Sequence, residues 1–154
     1  MEPDWLDAEE QAAWRRLAAL LTVLPAALDA QLQRDAGLTH FEYWVLSALS
    51  EAPDRTLRMS CLAGLAHGSL SRLSHVARRL ERRGWLTRRP DPGDGRFTLA
   101  TLTDAGWDRV AAAAPGHVGA VRRAVFDALT PEQVRALREI GDSVLRSAEA
   151  ERTR

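Results

Sequence analysis

The stretch from Leu70 to Leu102 changes its hydrophobic period halfway along. Leu70, Leu73, Val76, Ala77 and Leu80 recur at three- and four-residue spacing, the mark of a helix with one buried stripe. Beyond Gly84 the period drops towards two. Trp85–Arg89 and Arg96–Leu102 read as strands, and the loop Asp91-Pro92-Gly93-Asp94-Gly95 joins them as a hairpin. Upstream, Met59–Ala66 reads as a brief helix, Gly68 marks a turn, and Ser69 stands where a helix cap is needed. A short helix, a tight turn, a second helix and a two-stranded ribbon, in that order, make a winged helix-turn-helix.

The remainder of the chain is helical. Asp7 followed by Glu10 is a capping box, and Trp14, Leu17, Leu20, Leu21, Leu24 and Leu28 continue at helical spacing to Gly37. Pro25 lies within this run and is expected to kink the helix rather than end it, since the apolar period resumes at Leu28 and Leu32. Thr39 with Glu42 opens a second helix, which Pro53 stops, and Thr56–Arg58 reads as a short extended piece. Thr103 caps a further helix. Thr130-Pro131-Glu132-Gln133 opens the last one, expected to run to about Ser147. The fold class is therefore mainly α with a small β-hairpin wing. The expected divisions are an N-terminal helix over 1–36, the winged helix-turn-helix over 37–106, and C-terminal helices over 107–154.

Charge adds what periodicity cannot. The formal net charge is zero, yet residues 1–54 carry three Arg against ten acids while residues 68–96 carry eight Arg against three acids. A local basic block attracts phosphate over a Debye length of about 8–10 Å whatever the global balance. On the helix opening at Ser69, the side opposite the aliphatic stripe collects Ser71, His75, Arg78 and Arg82, flanked by Arg72, Ser74 and Arg79, with no acid at its centre. A solvated face ordinarily mixes signs at four-residue spacing. A helix about 10–12 Å across fits a major groove about 12 Å wide, and Arg bonds guanine bidentately. Residues near the helix start would meet base edges, while Arg78, Arg79 and Arg82 would lie nearer the backbone. Asp94 and Arg96 stand close enough to pair, which would hold the guanidinium extended at the hairpin tip, within reach of a neighbouring minor groove.

Residues 62–106, LAGLAHGSLSRLSHVARRLERRGWLTRRPDPGDGRFTLATLTDAG, resemble the helix-turn-helix and wing of the MarR family of bacterial transcription regulators. RLERRGWL, DPGDGR and the closing LTDAG carry the likeness, and the order of the outer helices agrees with it. The resemblance implies a homodimer, triangular in outline, whose first and last helices pack on their symmetry mates. It places the recognition helix at 69–83 and the wing at 85–102. Asp94 and Arg96 fall on the family's Asp-x-Arg pattern, with Gly95 where many members have a second basic residue. Members typically repress their own or a neighbouring operon, and many release DNA when a small aromatic ligand or an oxidant acts. The expected partners are thus a palindromic double-stranded operator, a second copy of the chain and a small aromatic effector.

The residues themselves also favour a dimer. Trp5 and Trp14 near one end, and Val121, Val125, Phe126, Leu129, Leu137, Ile140 and Leu145 near the other, are more apolar surface than terminal helices of a small monomer hide. Trp14, His40, Tyr43, Trp44 and Trp107 are candidates for an aromatic effector wall, although packing is the commoner role for such side chains. Cys61 is the sole cysteine, which excludes an intrachain disulfide and makes a partly buried, unreactive thiol the default. His40, His67, His75 and His117 lack metal-ligand spacing, so no metal or cofactor is expected. Neither a leader nor an 18-residue apolar run is evident, which suggests a cytoplasmic protein without membrane contact. No nucleophile elbow, phosphate loop or catalytic carboxylate pair argues for an enzyme. The competing reading is a winged-helix protein-interaction module without DNA binding, for which acids or apolar groups on the outward face would be the signature.

Overall fold

Asp7 accepts a hydrogen bond from the Glu10 amide while the Glu10 carboxylate accepts from the Asp7 amide, and this capping box starts helix α1, Ala8–Ala36. In the computed structural model, which describes residues 4–66 and 69–152, Pro25 is accommodated inside α1 and Gly37 ends it in the left-handed conformation at φ 61°. Thr39 and Glu42 form a second box that opens α2, His40–Glu51. A tight turn at Pro53–Arg55, with Asp54 and Arg55 in the left-handed region at φ 50° and 52°, leads to β1, Thr56–Arg58, and then to α3, Met59–Leu65. Helix α4, Leu70–Arg82, is capped by Ser69, whose hydroxyl accepts from the Arg72 amide. Strands β2, Leu86–Asp91, and β3, Asp94–Leu102, form the wing, and β1 pairs along β3 to give an antiparallel sheet ordered β1-β3-β2. Helix α5 spans Asp104–Ala124 and α6 spans Pro131–Arg152. The turn position Gly68, and His67 beside it, lie outside the described residues.

The chain forms two compact units, divided between His117 and Val118. The core of the first is aliphatic. Leu32, Leu38, Val45, Leu46, Leu49, Leu62, Leu73 and Leu80 are fully buried, with Leu86 and Ala100 of the sheet among them. Burying a leucine contributes roughly 1.5–3 kcal/mol, so the stripe of α4 is fixed inward and its opposite side outward.

Three expectations need correction. Leu70 is 52% exposed and does not belong to the buried stripe, which begins one turn later at the fully buried Leu73. The hairpin loop is shorter than its glycines suggest. Asp91 pairs with Asp94 in register, leaving a two-residue Pro92-Gly93 turn and an irregularity at Pro90/Asp91. The Asp91 carboxylate accepts from the Gly93 amide and the Asp94 carboxylate from the Arg96 amide, so two aspartates serve as local turn formers. Finally, α6 continues past Ser147 to Arg152.

The base of the wing explains the LTDAG motif. The Thr103 amide donates to the Trp85 carbonyl at 3.1 Å, and the Thr103 hydroxyl donates to the Gly84 carbonyl at 2.6 Å. The same hydroxyl accepts from the Gly106 amide and caps α5. A Cβ on Gly106 would overlap the Trp85 carbonyl oxygen and approach Leu102 Cδ1 to 2.7 Å, so the start of α5 seats on the wing base only with glycine there.

Candidate nucleic-acid interface

Ser71, Arg72, His75, Arg78 and Arg82 are exposed along the outward side of α4, as is the capping Ser69, while Ser74 and Arg79 are half-buried. Arg78 and Arg82 have no ion-pair partner among the described residues. The two arginines at the edges are held. Arg72 lies over the Phe41 ring at 4.3 Å, and Arg79 Nε donates to Glu42 Oε1 at 2.7 Å. Glu42 is almost fully buried, and its other oxygen accepts from the Thr39 amide at 2.8 Å. One carboxylate therefore caps α2 and anchors α4. The sequence showed only its capping role, because the partner lies 37 residues away.

At the wing, Arg96 Nε donates to Asp94 Oδ1 at 2.9 Å, and a terminal amine of the same guanidinium donates to Oδ2 at 2.6 Å. This fork-to-fork pairing directs the guanidinium yet leaves the side chain 85% exposed. The guanidinium holds the Asp94 carboxyl below the usual carboxylate range, so the pair stays charged through the neutral region. Arg58 braces the opposite side of the tip, donating to Asp91 at 2.7 Å and stacking on Phe97 at 4.5 Å. Glu81 at the end of α4 accepts from both the amide and the guanidinium of Arg88 on β2. Neither brace is legible in the sequence, since each joins elements whose approach the fold decides.

Ser74, Leu70, Arg88 and Arg96 line one open groove between α4 and the wing. Leu70 and Ser74 on the flank of α4 and the wing arginine thus border a single concave surface, and the exposure of Leu70 belongs to it.

The effector candidates divide. His40, Tyr43 and Trp44 line a pocket of about 370 Å³ together with Glu51, Leu57 and His117. Trp14 stands 56% exposed on α1 and does not line it, and Trp107 lies beneath the Arg55 guanidinium at 4.3 Å instead. His117, considered only as a metal ligand from sequence, packs on Tyr43 with ring centres 4.5 Å apart, and its Nδ1 lies 3.2 Å from Gln31 Oε1. Burial pushes the His40 and His117 imidazoles below their ordinary range, with Asp29 partly opposing this at His40. Cys61 is exposed, not partly buried, because its position on α3 turns outward from the core side defined by Leu62 and Ala63. No group of three or more His, Cys, Asp or Glu residues able to hold a metal occurs among the described residues. None of the described helices is long and apolar enough to cross a membrane.

A three-helix core carrying an Arg-rich second helix and a braced ribbon defines a winged helix-turn-helix protein. The model of the MarR family matches residues 38–98. The crystal structure of Sco3205, a MarR family transcriptional regulator from Streptomyces coelicolor in complex with DNA, is 51% identical. That likeness covers 95% of this chain and 91% of Sco3205, with a TM-score of 0.91. AbsC, a MarR family regulator from the same organism, is 36% identical over 99% of this chain and 100% of its own, with a TM-score of 0.87. An uncharacterised HTH-type transcriptional regulator of Bacillus subtilis, YdcH, is 32% identical over 80 residues, and the chain spans about half of its length (54%). The chain belongs to the MarR family.

Proposed function

We propose that this protein is a DNA-binding transcriptional regulator, a homodimeric repressor that binds a palindromic operator and releases it when a small molecule occupies the pocket beside α2. The carrying observation is the outward face of α4, where Ser71, His75, Arg78 and Arg82 stand exposed with no acid at its centre, flanked by a groove that Ser74 of α4 shares with the extended Arg96 of the wing. The DNA complex of Sco3205 supports the same assignment, given the identity across nearly the whole length of both chains. In this reading Ser71, Ser74 and His75 meet base edges in the major groove, with Arg72 at the rim. Ser69 caps the helix that carries them. Arg78, Arg79 and Arg82 contact phosphates, and Arg96, aimed by Asp94, enters the adjacent minor groove. Two-fold symmetry sets two such faces about 34 Å apart, one turn of duplex. An interaction module without DNA binding loses support because its expected acids are missing from α4's face. A cytoplasmic site of action follows from the same role.

Selection of bound duplexes from a random pool tests the proposal. The expected product is a palindrome whose affinity falls several-fold or more for Arg96→Ala with the fold intact. Arg78→Ala is expected to weaken binding to all sequences and to make the salt slope shallower by about one unit. Failure to enrich any sequence, or unchanged affinity for Arg96→Ala at physiological salt, overturns it.

A further inference from the structure

The pocket beside α2 has an unusual charge inventory for a protein whose basic residues are all arginine. Its one formally charged lining group is the Glu51 carboxylate, and no arginine lines it. Glu51 has no ion-pair partner among the described residues. The nearest arginines along the chain are spoken for. Arg55 is paired with Asp104 and stacked on Trp107, and Arg58 is bound to Asp91 and Phe97. The imidazoles of His40 and His117, whose rings are 5.5 Å apart, stay neutral at physiological pH because burial disfavours their charged forms. Asp29 lies behind His40, accepting from its amide at 2.8 Å. The remaining wall is Tyr43, Trp44 and the aliphatic Leu57 and Leu65.

We propose that this pocket takes an organic cation, an ammonium group carried on an aromatic or apolar body, and that such amines are the effector class of the regulator. The inference rests on the regulator reading for its effect on DNA, but not for the binding itself. An anionic ligand would meet a carboxylate with no compensating cation. A cation would meet Glu51 beside the aromatic rings of Trp44 and Tyr43, and cation–π attraction strengthens as the group leaves water. The volume of about 370 Å³ lies at the small end of ordinary ligand sites, which run from roughly 300 to 1,000 Å³. The route to DNA is short. Trp44 borders this pocket and also the groove that holds Arg72 and Arg79, and α2 carries the Glu42 carboxylate that anchors Arg79.

Titration calorimetry of the full chain with 3-phenylpropylamine and with 3-phenylpropanoate, equal in shape and opposite in charge, tests the binding. The amine is expected to bind about tenfold more tightly, combining the carboxylate with one or two aromatic faces. Glu51→Gln should erase that preference while keeping the wild-type circular dichroism, since the residue is exposed and makes no ion pair among the described residues. Equal or tighter binding of the carboxylate, no binding of either, or a preference that survives Glu51→Gln overturns the inference. With the selected duplex added, the amine should lower DNA affinity in the wild type and not in Glu51→Gln. Glu51-dependent binding that leaves DNA affinity unchanged overturns the effector role. A chain that takes the amine but enriches no duplex overturns the regulator reading and leaves the ligand assignment standing.

Discussion

His117 sits in the inner part of the first unit, against Tyr43 and Gln31, and accepts a proton less readily than a free imidazole. A histidine whose folded pKa is lowered makes the folded state bind fewer protons than the unfolded chain once the pH falls below about 6.5. Stability should therefore drop between pH 7.5 and 5.5 and level off only below the folded value. The melting temperature measured across that window checks this. His117→Gln should flatten the dependence, and an unchanged slope would assign it elsewhere. At this scale the sequence was legible where one residue serves its own neighbourhood. The caps at Asp7, Thr39, Ser69, Thr103 and Thr130 and the stop at Gly37 all act within a few residues. It was illegible where a residue answers to a distant one. Glu42 looks the same in the string whether or not Arg79 comes to meet it.

Among the elements, α4 and the wing are tied more closely than a connecting loop would tie them. The Glu81 carboxylate holds Arg88, whose guanidinium in turn keeps Glu81 ionised below its ordinary range. A partly exposed pair of this kind contributes only about 0–1 kcal/mol to stability. Its value lies in position. Glu81→Ala should leave the fold intact but lower operator affinity several-fold. The penalty of Arg96→Ala should also shrink in that background, because a loosened wing no longer delivers the guanidinium. A double-mutant cycle measures the coupling, and strict additivity would show that the brace plays no part in recognition. Element order and type were readable because periods of 3.6 and two are hard to confuse over ten residues. The hairpin's turn was misjudged because Asp91 and Asp94 do with side chains what a longer loop does with backbone.

Across the molecule, each unit leaves an apolar face uncovered. In the first, Leu17, Leu20, Leu21 and Val23 of α1 are exposed, together with Trp14 and Trp5. In the second, Leu137, Ile140, Val144 and Leu145 of α6 are, with Ile140 at 60%. Single exposed leucines are ordinary, but contiguous stripes on two helices are not. Sedimentation should find a dimer at micromolar concentration, and Ile140→Glu with Leu137→Glu should yield a monomer that keeps its helical content and loses operator binding. A monomeric wild-type chain would remove the symmetric reading. Of these exposed side chains, Trp5, Trp14, Leu137, Ile140 and Leu145 stood out in the sequence as surplus apolar surface, whereas Leu17, Leu20 and Leu21 read there only as a helical period, which does not say which side is covered.

Thr103 gathers the last residue of the α4 turn, the first of the wing and the first turn of α5 at one point, through its amide and its hydroxyl. Helix face and ribbon tip are thereby mounted on one bracket, which Glu81 and Arg88 brace further along. A duplex spanning both would supply most of the compliance itself. Base pairs lying between the two grooves, touched by no side chain, would then be chosen for how readily they twist and narrow.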